Sequence, residues 1–211
     1  QTGSNHQLKN NRSWVLGKER LHGNVICCVA WHPSIREQLA TGCRDRGVRI
    51  LKIVDKDCSF WTRQPHHNDK PLQTDLLYKI DQQSMTQCLS FRPDGTRLAT
   101  GCKEGLCVLW TATGVKAMEA PGNVTSISWG RNNEIAVVVD KKLVKVLDTA
   151  SGGSRPTEIR SFSIVDGVFS AVWHPFIPHE VICGDAKFSR CQFLRVYSGT
   201  PMRTLVTGGV L

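Results

Sequence analysis

Four side chains of metal-ligand type fall within twelve positions of one another: Cys58, His66, His67 and Asp69. Thiolate, imidazole and carboxylate are the groups that hold zinc, but a zinc site needs spacings that let its ligands converge on one ion. A cysteine with seven residues between it and two adjacent histidines has no such spacing, so the segment reads as a loop and not as a metal site. His32 and His174 have the form of a catalytic base, yet each directly follows a tryptophan and directly precedes a proline. A residue that recurs with a structural unit serves the unit, because one active site needs one copy. The nine cysteines obey the same logic. Cys28 and Cys88 stand three places before an aromatic, and Cys43 and Cys102 each close the string LATGC, as small apolar residues of packed strands do. No Cys-x-x-Cys pair occurs and the number is odd, which points to free thiols in a reducing, intracellular compartment, cytoplasm or nucleus, and not to a secreted chain. A strand followed by GxGxxG, a P-loop, HExxH and GxSxG are all lacking. The residues therefore support no catalytic group, no cofactor and no metal.

The elements that must position these residues are short and repeated. Segments 25–53, 85–114, 124–152 and 168–199 align with one another. Their aromatic anchors Trp31, Phe91, Trp129 and Trp173 lie 60, 38 and 44 residues apart. The first interval is one unit of about 40 residues carrying an insertion of about 20. In each unit an alternating strand ends at the aromatic, and a turn follows. A short apolar strand comes next (39–43, 98–102, 135–139, 181–183), then a charged tight turn and a third strand (48–53, 106–110, 143–147, 193–197). An outer strand is expected at 76–80, 115–118, 158–162 and 202–206. The order predicts an all-β chain of four-stranded antiparallel units.

Length and composition agree. The chain has 211 residues, 40% apolar and 21% charged, which suits a globular domain and excludes wholesale disorder. The longest run without a polar residue, 25–31, is far short of the roughly 20 residues a membrane helix needs. No apolar stretch follows a basic start, so no signal peptide is visible. Lys and Arg total 27 against 18 Asp and Glu, a formal charge of +9.

On these residues the chain resembles the WD-repeat β-propeller family. The resemblance rests on LATGCRDRGVRIL and LATGCKEGLCVLW with Trp110, on the SFRPDG turn at 90–95, and on His22-Gly23 ahead of the first strand; it covers about 13–206. It implies a partial propeller of about four blades. The family's tetrad joins His, Ser or Thr, Trp and Asp. No unit here has all four, so blade rigidity is expected to come mainly from packing. The turn acids are Asp45, Glu104, Asp140 (one place out of register) and Asp185. Family rings close with about seven blades, so the resemblance implies that the missing ones come from a longer parent chain or from another chain. Residues 1–12 read as a flexible lead-in and 13–211 as the propeller. Repeats span about 25–80, 85–119, 124–163 and 168–206, and the inserted loop 54–75.

Function follows from surface features. The tight turns carry Arg44, Arg46, Lys103, Lys141, Lys142, Lys187 and Arg190 on one expected face, with Lys18, Arg20 and His22 beside them. Phe60 and Trp61 in the insertion have the chemistry of interface anchors. The resemblance implies a non-catalytic scaffold for protein–protein interaction inside a larger assembly, and the basic face suits acidic partners. The alternative is an RNA- or ribonucleoprotein-binding propeller that uses the same face.

Overall fold

A computed structural model describes residues 21–54, 73–82, 84–111, 114–119, 122–150, 157–164, 166–185, 190–197 and 203–206, with backbone alone at 106–111, 114–119, 185, 190 and 203–206. Among the described residues the elements are sixteen strands in four antiparallel sheets. The first blade is β1 (Ile26–Trp31), β2 (Gln38–Cys43), β3 (Gly47–Val54) and β4 (Gln73–Asp81). The second is β5 (Thr86–Phe91), β6 (Arg97–Cys102), β7 (Leu106–Thr111) and β8 (Gly114–Glu119). The third is β9 (Val124–Trp129), β10 (Glu134–Val139), β11 (Leu143–Asp148) and β12 (Thr157–Ser163). The fourth is β13 (Val168–Trp173), β14 (Glu180–Asp185), β15 (Arg190–Arg195) and β16 (Arg203–Val206). Strands pair in sequence order within each blade. The first strands β1, β5, β9 and β13 lie side by side, so the blades fan around an inner edge. This is the all-β partial propeller the repeat implied.

The core sits between blades, because each strand alternates its faces and both faces of an internal blade are covered. Ala40, Val48 and Ile50 of the first blade meet Phe91 and Leu98 of the second. Ala136, Val138, Val144 and Val146 of the third meet Val168, Ala171, Val181, Cys183 and Leu194 of the fourth. The anchors Phe91 and Trp129 are buried on the side of the preceding blade, whereas Trp31, with no described blade before it, is 50% exposed.

A register shift recurs at the second residue of every inner strand: Cys27, Gln87, Thr125 and Phe169. A bulge adds one unpaired residue and re-aims its side chain. The fourth blade departs from expectation. Leu39, Leu98 and Ile135 pair with Leu51, Trp110 and Leu147, but Val181 pairs with Leu194, so this hairpin is one residue longer than the others. The third strand therefore runs Arg190–Arg195, and Leu194 takes the slot that the sequence alignment gave to Tyr197.

Candidate interaction face and the polar hub beneath it

The turns after β2, β6 and β10 leave their blades on one side of the fan, since all three blades have the same strand order. Arg44 and Arg46, Lys103, and Lys141 and Lys142 are all exposed there. The accompanying acids differ in direction. Asp45 turns inward: its carboxylate accepts from Gly23 N at 2.8 Å and Gly47 N at 2.9 Å, and Arg49 Nη1 lies 3.3 Å away. Burial alone would raise its pKa, but the Gly23 and Gly47 N–H donors outweigh that and hold the carboxyl well below the usual range. Asp140 is exposed, yet its Oδ1 accepts from Asn123 N at 2.8 Å. Its one-place offset in sequence does not prevent it from tying a turn to the segment entering its own blade, as Asp45 does. Two of the turn acids are thus occupied by the fold, while the cations face outward.

Two of these cations and one of the acids have left-handed backbone. Arg46 has φ 67°, Asp140 53° and Lys141 55°. Blade two uses Gly105, φ 79°, where blade one has Arg46. Consecutive positive values at Asp140 and Lys141, closed by Lys142 N donating to Val139 O at 3.0 Å, have the form of a type I′ turn, for which Asn-Gly is the favoured pair. Non-glycine residues held this way cost about 1–3 kcal/mol each.

Phe169 belongs to this face and sequence reasoning missed it. Its ring is 58% exposed and Lys141 Nζ lies 5.5 Å from its centroid. The signal was the recurring bulge, which no residue type announces. Phe60, Trp61, Lys187, Lys18 and Arg20 lie outside the described residues, as does the Cys58–His66–His67–Asp69 group. Arg190 opens β15 opposite Val206.

His22 is not on the basic face, contrary to expectation. It is 7% exposed, and Nε2 meets Thr41 Oγ1 at 2.8 Å. Nδ1 lies 3.3 Å from both carboxylate oxygens of Asp45 and in close contact with Arg49 Nη1. Thr41 Oγ1 donates onward to Arg49 O at 3.4 Å. Burial and the Arg49 charge lower the His22 pKa despite the opposing pull of Asp45. His22, Cys43 and Asp45 bring ligand atoms within 4.8 Å of one another, but Arg49 already supplies the cation there.

Blade two builds the same hub without histidine. Gln82 stands four residues ahead of its inner strand, as His22 does. It donates to Thr100 Oγ1 at 2.6 Å and accepts from Thr86 at 3.0 Å and from the Cys102 thiol. Blade one thus holds three members of the tetrad and blade two a glutamine substitute, polar ties that add to the packing between blades. Blade four has Ile164 in that place and Cys183 opposite it, both buried in the apolar cluster.

The remaining chemistry candidates serve structure. Nδ1 of His32 accepts from Ser34 N and Ile35 N, and Nδ1 of His174 from Phe176 N and Ile177 N, the same turn clasp twice. Burial pushes the Cys28 and Cys102 thiols up to about 12, the opposite of nucleophile activation.

Residues 15–51 and 76–111 match the family model described as WD domain, G-beta repeat. Two stretches, in the first two blades, thus match the repeat model, and the four blades have the fold of a WD-repeat propeller. Among solved structures it is similar to U3-55K (TM-score 0.63, 14% identity, 83% of this chain and 50% of that one). It is also similar to the RRP9 WD40 repeats (TM-score 0.62, 14% identity, 82% and 49%). A chain of the mitotic checkpoint complex matches with TM-score 0.62 and 17% identity over 86% and 52%. The chain thus spans about half the length of the solved chains it matches. No curated protein sequence matches it.

Proposed function

We propose that this chain is a non-catalytic WD-repeat scaffold that holds other proteins within a larger intracellular assembly, in the cytoplasm or nucleus. Its turn face takes acidic segments of those proteins. The observation that supports this reading is the excess of outward cations: Arg44, Arg46, Lys103, Lys141 and Lys142 are exposed on one side of three adjacent blades beside two exposed acids, Glu104 and Asp140, while Asp45 turns inward onto backbone N–H groups. Rigid strands carrying exposed turns are where binding residues concentrate. Left-handed Arg46 and Lys141 support it further, since local strain of this kind collects at binding sites.

RNA is the second reading, favoured by one observation. Phe169, exposed beside Lys141, offers a ring on which a base could stack. The face has few other described aromatics, so the acidic-protein reading stands first. A fluorescence-anisotropy titration with labelled polyglutamate peptide and with labelled oligouridine, each at three salt concentrations, separates the two. The scaffold reading expects peptide binding that weakens with salt and weaker oligouridine binding at every salt. Tighter oligouridine binding that Phe169→Ala abolishes would move the function to RNA.

A further inference from the structure

Each blade turns back between its first and second strands on the side opposite the basic turns, because the strands of a blade alternate in direction. This second face carries two apolar tips. In the turn of blade four, between Pro175 and Pro178, Phe176 is 77% exposed and Ile177 46%. In the turn of blade one Ile35 is 45% exposed. Both turns are fixed by the same clasp, in which a histidine Nδ1 accepts the backbone N–H groups of the two tip residues. The clasp places Ile177 in the slot of Ile35 and Phe176 in that of Ser34. Arg131 of blade three adds a second restraint, donating to Pro175 O from Nη2 at 2.7 Å and from Nε at 3.1 Å.

The exposure belongs to the turns themselves. Phe176 and Ile177 have blade three packed before them, and Ser34 and Ile35 have blade two packed after them, yet all four are exposed. Because the two turns occupy the same slot, a neighbour on either flank leaves the tips bare. Charge accompanies them. Arg36 and Arg131 are exposed in the same set of turns. Asp94, paired with Arg92 at 3.3 Å, is the one exposed acid among the described residues of these turns; Glu37 is half-buried, and Glu134 and Glu180 are buried. An aromatic on a clasped turn loses little backbone freedom on binding, so burying it yields most of its transfer free energy.

We propose that this face docks on an anionic lipid bilayer, with Phe176, Ile177 and Ile35 entering the interface and Arg36 and Arg131 meeting lipid phosphates. The tips belong to the first and fourth blades and project to one side of the fan. One flat surface meets both tips, whereas a pocket in a folded protein receives one. Apolar tips with guanidinium groups beside them match the layers of a leaflet, in which anionic headgroups cover acyl chains. The binding of acidic segments concerns the other face, so the two readings stand or fall separately. A chain docked in this way presents its basic turns to solution.

Vesicle flotation of the full chain tests this, with phosphatidylcholine alone and with equal parts of phosphatidylcholine and phosphatidylserine. The expected result is binding to the mixed vesicles that exceeds binding to phosphatidylcholine. A Phe176→Ser, Ile177→Ser variant should bind the mixed vesicles about tenfold more weakly or worse. Its circular dichroism melt should match the parent, since both side chains are exposed. An Arg44→Glu, Lys142→Glu variant should float as the parent does, because those cations face the other way. Binding that survives loss of both tips, or that the Arg44 and Lys142 reversal abolishes, would overturn the proposal. So would a parent that binds no mixed vesicles; an apolar pocket on a partner protein would then be the occupant.

Discussion

Arg46 occupies a backbone position that glycine fills in the next blade, and that makes function and stability separable at one side chain. Arg46→Gly relieves left-handed strain, and thermal unfolding should show a gain of about 1 kcal/mol. The same substitution removes an outward cation and should weaken polyglutamate binding in the anisotropy assay. His22 makes a second prediction. Its folded pKa lies below the ordinary 6.5, so the folded state holds fewer protons than the unfolded chain. Its contribution is therefore complete above about pH 6.5 and is lost as pH falls through the depressed value. Asp45 adds a loss of the same sign below its ordinary 3.8. In a His22→Gln variant the new amide should donate to Thr41 as Gln82 donates to Thr100, so the fold persists. The decline in melting temperature between about pH 7 and 5 should flatten relative to the parent; an unchanged decline would show that His22 does not carry it.

At the scale of the element, the blades divide into two kinds. The first two are cross-tied by His22–Thr41–Asp45 and Gln82–Thr100–Cys102, whereas Val137 and Cys183 replace the threonines in the last two and join apolar clusters. Gly101→Val should destabilise by about 1–3 kcal/mol in denaturant unfolding, because its side chain would collide with Cys88 and Val124. Tyr197→Phe removes a hydrogen bond to buried Glu134 that ties blade four to blade three, and should cost about 1–3 kcal/mol. Strands were the most legible part of the sequence, because alternation and the aromatic anchor recur in each unit. Tyr197 was misplaced because one extra residue in a hairpin changes register without changing composition. The hub was half-legible: His22 and Asp45 were visible as residue types, but the role of His22 depends on Thr41, 19 residues away, and Gln82 has no family signature. Phe169 was hidden because a bulge is a backbone event.

Across the whole molecule, net charge was readable from composition and its arrangement was not. The sequence offers seven turn cations against four turn acids, a modest excess. In the fold Asp45 turns inward onto backbone donors, so at the described turns five cations face outward beside two exposed acids, Glu104 and Asp140. A face of this kind recruits acidic partners at rates and affinities that fall with ionic strength, since exposed charges are screened over about 10 Å at 0.1 M salt. The central claim is that this face, and not the charge of the chain as a whole, binds. Isothermal titration of a polyglutamate peptide into the parent and into an Arg44→Glu, Lys142→Glu variant tests it most directly. The reading expects at least a tenfold weaker dissociation constant in the variant and no loss when two lysines on the outer strands or the opposite face, Lys52 and Lys79, are reversed instead. Equal weakening by both pairs would contradict it and reduce the binding to non-specific charge.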